Sequence, residues 1–196
     1  MSALPGEGTA ALPPHMEKSV KNSQLVISAI GQDRPGIVDR ITRYIFEHDL
    51  NISDSRMSVL GGEFAIQMLV VGPWNEIAKF ESTIPELESS LDLSIVARRT
   101  DIRPRNQQLL PYIVDVVALD NPGIVHHLAN FFSQRNINIE ELTTTSYAAP
   151  HTGTPMFAVN LEVGVPADIQ ISELRDDFMQ FCDTMNLDAV LEPAKN

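Results

Sequence analysis

The stretch GQDRPGIVDRI, residues 31–41, joins two apolar patterns of different period. Before it, QLVISAI (24–30) is rich in β-branched residues and reads as a strand. After it, Ile37, Val38, Ile41, Tyr44 and Ile45 recur at i, i+1, i+4, i+7 and i+8, which predicts one buried helix face. The junction therefore turns a strand into a helix. Pro35 suits the first helical position, where its missing N–H would have had no intrahelical partner. Asp33 stands where a carboxylate can cap the helix and oppose its dipole. Gly36 has no side chain, so another group can approach the backbone, and the unpaired N–H groups of a helix start can hold a carboxylate.

The same junction occurs again as LDNPGIVHHL at 119–128. Asp33, Pro35, Gly36, Ile37, Val38, Asn51 and Ile52 match Asp120, Pro122, Gly123, Ile124, Val125, Asn138 and Ile139 at a constant offset of 87. So many identities in one register mark an internal duplication. The period is too long for a solenoid repeat and fits a small domain present twice. Each copy reads alike. YIVDVVA (112–118) is the second opening strand, and Ile124, Val125, Leu128, Phe131 and Phe132 repeat the helix face. NISDSRMSVL and NIEELTTTSY, then EFAIQMLVVG and MFAVNLEVGV, read as strands. Ile77, Phe80 and Ile84, and in the second copy Leu174, Phe178, Phe181 and Met185, mark a second helix, with Pro85 expected to end or kink it. LSIVARR and DAVLEP supply the last strands. The order βαββαβ, twice, predicts two α+β domains. Each is a ferredoxin-like antiparallel sheet with both helices on one face, the other face being solvated or covered by a partner.

The expected division is a flexible segment at 1–23, a first domain at 24–101, a linker at 102–111 and a second domain at 112–196. The net charge of -12 argues against direct contact with nucleic acid. The charge is uneven: from Leu110 onward twelve acids face three bases, while Arg98, Arg99, Arg103 and Arg105 cluster around the expected linker. Cys182 is the single cysteine, which excludes an internal disulfide and a thiolate metal cage and fits a reducing cytoplasm. Its neighbours Phe178, Phe181 and Met185 place it in a core. No apolar stretch approaches the length of a membrane span, and the N-terminus lacks the pattern of a signal peptide. Gly-rich phosphate loops, HExxH and G-x-S-x-G are absent from the sequence. His126 and His127 are adjacent and point about 100° apart on a helix, which suits exposure better than a shared metal. His48 and His151 are isolated, and Trp74 is expected to pack over the start of the second helix. The expectation is a protein that is not an enzyme, has no cofactor and holds no metal.

With DRPGIV and NISDSRM in one copy and DNPGIV and NIEEL in the other, the chain resembles tandem ACT domains, small regulatory modules that bind amino acids. The segments GQDRPGIV, NISDSRMSVLGGEF, GPWNEI, ESTIPELESSLDLSIVARRT and RPR resemble the glycine cleavage system transcriptional repressor group. ACT domains usually pair side by side, with ligand sites at the interface between domains, lined by the loop before the first helix and the start of the second strand. The resemblance thus implies an amino-acid site at Asp33, Arg34, Pro35, Gly36, Ile37, Asn51 and Ile52. A second is implied at Asp120, Asn121, Pro122, Gly123, Ile124, Asn138 and Ile139. Backbone N–H groups around the glycine would hold the ligand carboxylate, and Asp or Asn oxygens would accept from its ammonium. Arg34 becomes Asn121, Asp54 becomes Glu141 and Ser55 becomes Leu142, so the first copy is expected to be the better-kept site, with Arg34 strengthening carboxylate capture. The implied protein is a homo-oligomer, expected as a dimer. It senses glycine or a similar small amino acid and acts by contact with a DNA-binding transcription activator. The alternative is a stand-alone ACT regulatory subunit that controls an enzyme of amino-acid or one-carbon metabolism.

Overall fold

The structure is a computed structural model that describes residues 22–101 and 109–195. The expected lead-in up to residue 21, and Arg103 and Arg105 of the expected linker, lie outside the described residues. The chain divides into two units, 1–103 and 104–196, each built as βαββαβ. The first holds β1 (Asn22–Gln32), α1 (Ile37–Glu47), β2 (Asn51–Leu60), β3 (Glu63–Pro73), α2 (Trp74–Leu91) and β4 (Ser94–Thr100). The second holds β5 (Leu109–Leu119), α3 (Ile124–Ser133), β6 (Asn138–Ala148), β7 (Pro155–Pro166), α4 (Ile171–Met185) and β8 (Asp188–Pro193). Residues 109–111, expected in the linker, open β5, and Arg98 and Arg99 belong to β4.

Both sheets are antiparallel and four-stranded, in the orders β2-β3-β1-β4 and β6-β7-β5-β8. This is the expected ferredoxin-like arrangement. Alternation places Leu25, Ile27 and Ala29 of β1 and Phe64, Ile66, Met68 and Val70 of β3 on the helix-covered face, all buried. Helix α1 adds Ile37, Ile41 and Ile45, one residue per turn, each contributing about 1.5–3 kcal/mol by burial. Val38, expected on that face, is 39% exposed, because the turn geometry places it a quarter-turn away from the core. In the second unit Ile124, Leu128, Phe131 and Phe132 pack with Phe178 into an aromatic core, with ring centroids 5.2 to 5.7 Å apart.

Helix α2 runs through Pro85 and ends only at Leu91. The pyrrolidine removes one intrahelical donor, at a cost of about 3 kcal/mol in a helix interior. Ile77, Phe80, Ile84, Leu87 and Leu91 are buried on both sides of it, so tertiary burial outweighs the local penalty. Cys182 is fully buried in α4 among the aromatic side chains, as its neighbours suggested. Burial, with the adjacent Asp183 carboxylate adding to it, pushes its thiol up to about 11.

Two outcomes are expected. Pro85→Ala restores the missing helical hydrogen bond on an exposed position and should raise stability by about 1–3 kcal/mol, read from the urea midpoint at unchanged slope. Thiol labelling at pH 8 should be negligible in the native protein and rapid after denaturation. Fast labelling of the native chain would show that Cys182 is neither buried nor protonated.

Candidate functional site

The two junctions fold alike, but not as capping chemistry predicts. Gly36 and Gly123 are the N-cap residues of α1 and α3, at φ 91° and 100°. No side chain caps either helix, so Asp33 and Asp120 are not caps, and Pro35 and Pro122 lie in the turn ahead of the first helical residue. The reason is the left-handed corner. With the chain turning at a positive φ, the glycine carbonyl itself accepts the first helical bond, from Arg40 N at 3.0 Å and from His127 N at 2.9 Å. The backbone N–H groups of Asp33 and Asp120 donate instead to the carbonyls of Gly62 and Pro155, at 3.0 Å each, which tie each loop to the neighbouring hairpin.

Above Gly36 there is open space, with no atom within 4 Å of where a Cβ would stand. Above Gly123 the His127 ring lies 3.5 Å from that point. The first helix start is thus uncovered and the second is roofed by an imidazole. The N–H groups of Ile37, Val38 and Asp39 stand at the uncovered helix start, where intrahelical partners run out. His126 and His127 are both exposed, and among the described residues no cluster of His, Cys, Asp or Glu could hold a metal.

Arg34 is tethered at one guanidinium nitrogen. That nitrogen donates to the carbonyl of Leu91, the last residue of α2, and Arg40 donates to the Ser90 carbonyl at 3.1 Å. Two cations from the loop and from α1 therefore hold the carbonyl end of α2, where the helix dipole favours positive charge. The second copy has Asn121 in place of Arg34, and its amide donates to the Leu119 carbonyl at 3.1 Å. The Leu91 contact of Arg34 lies 57 residues away in the chain and leaves no local signal in the sequence.

Asn51 and Asn138 open β2 and β6, both exposed. One residue later each strand carries a bulge, between Ile52 and Asp54 and between Ile139 and Glu141. The bulge keeps Ile52 and Ile139 toward the helices while turning Asp54 and Glu141 to the opposite face. Asp54 forms a bidentate contact with Arg56, 2.9 Å to each oxygen, and this hydrogen-bonded cation holds its carboxyl below the usual range. The Asn138 amide donates to Glu140 at 2.7 Å.

The structure does not bring the two halves of each predicted site together within one unit. Asn51 lies in the sheet row of Gln24 and Val71, while Gln32 pairs with Glu63 beside the β2–β3 turn that Asp33 touches. From Gln24 to Gln32 that separation is about 27 Å along the strand. Asp33, Arg34, Pro35, Gly36 and Ile37 therefore sit at one end of the first unit and Asn51 and Ile52 at the other. The residues Asp120, Asn121, Pro122, Gly123 and Ile124 are separated from Asn138 and Ile139 in the same way.

Trp74, expected to pack over α2, is its first residue and is 60% exposed. The Arg99 guanidinium lies 5.3 Å from its ring centroid and is itself held by Glu81, with nitrogen–oxygen distances of 2.6 to 3.1 Å. The hydrogen bond to Glu81 raises the Arg99 pKa. His48, isolated in the sequence, makes a ring-edge contact with Phe80 at 5.4 Å and a hydrogen bond to the Tyr44 carbonyl at 2.8 Å.

Comparison with known proteins agrees with this architecture. The ACT domain family matches residues 23–98. The glycine cleavage system transcriptional repressor of Escherichia coli (strain K12) is 36% identical over 162 residues, covering 83% of this chain and 85% of its own length. The chain belongs to the family of that repressor. The Shigella flexneri repressor matches with the same figures. Among solved structures, a provisionally assigned glycine cleavage system transcriptional repressor superposes with a TM-score of 0.68 at 28% identity, covering 90% of this chain and 99% of the other. A protein of unknown role from Galdieria sulphuraria gives 0.74 at 27% identity, covering 89% and 100%. Among the described residues no helix is long and apolar enough to cross a membrane.

Two substitutions separate scaffold from site. Gly36→Ala meets no neighbour but must hold φ near 91°, so it is expected to cost about 1–2 kcal/mol of stability. Arg34→Asn should cost a similar amount, about 1–2 kcal/mol, by freeing the carbonyl end of α2. Denaturant titration checks both, and an unchanged midpoint for Arg34→Asn would return that side chain to the candidate ligand set.

Proposed function

We propose that this protein senses a small amino acid, glycine being the first candidate, and represses transcription through contact with a DNA-binding activator and not through DNA. The observation that carries this reading is the match to the repressor over 162 residues, which spans both ACT units and not one alone. The net charge of -12 supports protein contact over phosphate contact, since duplex binding depends on neutralising phosphates with cations. A non-catalytic role fits the regulatory name of those relatives.

The ligand reading rests on two features. The start of α1 presents unpaired N–H groups beneath open space, which suits a carboxylate of a ligand with little or no side chain. Asn51 offers both an amide donor and a carbonyl acceptor. Because these lie at opposite ends of a unit, a ligand that touches both must bridge two ACT domains. Binding then stabilises a paired arrangement over an unpaired one, which is the differential affinity a sensor needs. Asp33, Pro35, Gly36, Ile37 and Ile52 complete this proposed site. The roofed helix start at Gly123 makes the second set, with Asn138, the weaker one.

Calorimetry of the intact protein against glycine and the other small amino acids tests the proposal. Wild type should bind, Asn51→Ala should weaken binding about tenfold, or 1.4 kcal/mol, and Asn138→Ala should be nearly silent. Damage by Asn138→Ala alone would assign sensing to the second copy. Absence of binding to every amino acid would remove the sensing role.

A further inference from the structure

The helix-free face of the second sheet is divided along its strands into an acidic end and an apolar end. Glu141, Glu162 and Glu192 lie in one row with Ile113. The next row on that face holds Asp115 and Asn160, joined by a hydrogen bond of 2.6 Å. Val117 and Ala158 follow, with Asp188 beside them at the β8 edge. Leu119, Met156 and Tyr147 close the face, Leu119 being 61% and Tyr147 44% exposed. The four strands β5 to β8 carry six acids, Asp115, Glu140, Glu141, Glu162, Asp188 and Glu192, and no lysine, arginine or histidine. The strands of the first sheet carry Asp54 and Glu63 against Arg56, Arg98 and Arg99. The two sheets share one fold, so the fold does not require this imbalance. Mixed charges would serve solubility as well, whereas a face of one sign keeps its self-repulsion until an opposite charge covers it.

We infer that this face docks a basic amphipathic helix of another protein, with its cations over Asp115, Glu162 and Glu192 and its apolar side chains over Val117, Leu119 and Met156. The inference rests on the reading of this protein as one that acts through protein contact. Charge selects the occupant. The same face of a second copy would set carboxylates against carboxylates. The helix-free face of the first sheet in a second copy brings Arg98, while Arg56 is bound to Asp54, and Arg99 is held by Glu81 of α2. One such cation is a poor match for this row of acids. A DNA-binding activator, basic by the nature of its own ligand, is a partner of the required chemistry. Backbone chemistry selects a helix. The N–H and C=O groups of paired strands are used within the sheet, so its face offers an extended peptide no ladder, whereas a helix satisfies its own backbone. The row of Ile113 lies about 20 Å from the row of Leu119, which a helix spans in about 13 residues. The acidic end steers and orients that helix, and the exposed apolar end holds it.

Calorimetric titration of the intact protein with a synthetic helical peptide tests this. The peptide has about 16 residues, with lysines on the first two turns and leucines on the last two turns of one face. Wild type should bind it. Glu162→Lys together with Glu192→Lys should weaken binding at least tenfold, and so should Leu119→Ser alone. Glu173→Lys together with Asp176→Lys makes the same charge change at exposed positions of α4, on the helix-covered side of the sheet, and should leave binding within twofold. Circular dichroism checks the fold of each variant. Should the two lysines unfold the sheet, Glu162→Gln with Glu192→Gln takes their place and should weaken binding at least threefold. Four results would each overturn the inference: no binding by wild type, equal weakening by the two charge pairs, undiminished binding to Leu119→Ser, or equal binding of the same peptide broken by a central proline. The peptide needs no activator, and glycine calorimetry on the same variants reads sensing by itself, so failure of this docking and failure of the regulatory reading are separate results.

Discussion

The fold depends on a reversal that each unit must make within four residues. Strand β1 ends at Gln32 and α1 begins at Ile37, packed back on the sheet that β1 has just left. Only a residue free of a Cβ penalty turns that corner at a φ near 90°, and glycine holds it in both copies. Once the corner is set, Ile37, Ile41 and Ile45 fall on Leu25, Ile27 and the β3 side chains without further adjustment. The same corner starts the helix, whose first N–H groups have no intrahelical partner, so the element that permits the scaffold also offers an anion-seeking feature. The proline ahead of it restricts the approach and the carbonyl of the glycine starts the helix.

Duplication has preserved this corner and the cores while the surfaces diverged. Apolar positions facing the helices keep their character in both units, because a cavity or an overpacked residue costs a few kcal/mol in a domain of this size. Surface positions have no such restraint. The carbonyl end of α2 is held by Arg34 and Arg40, whereas in the second unit Arg135, just past α3, lies 3.9 Å over the Phe131 ring and pairs with Asp177 of α4 at 2.8 Å. The helix-free sheet faces moved apart in charge by the same freedom.

The length of the unit limits what a small ligand can touch. The loop at Gly36 and the strand start at Asn51 stand about 27 Å apart along the strands, much farther than glycine can reach. A ligand that uses both has to join two domains, and its binding energy then goes into holding a pairing. In the proposed sensing role, that would couple metabolite concentration to assembly.

Much of this was legible from the residues. The offset of 87, the βαββαβ order, the strand limits at Asn51–Leu60 and Asp188–Pro193 and most core positions follow from periods of 2 and 3.6, which are local properties of the chain. Burial of Cys182 followed from its aromatic neighbours in the same way. What the tertiary structure alone decided concerns residues whose partners are distant in sequence. Arg34 meets Leu91, Trp74 meets Arg99, and α2 continues through Pro85 because residues on both sides of it are buried by other elements. The predicted site was drawn from two segments whose nearest residues, Ile37 and Asn51, are fourteen positions apart, yet the helix between them carries the chain to the opposite end of the sheet. Sequence proximity reports which residues share an element; only the packed sheet reports which residues share a place.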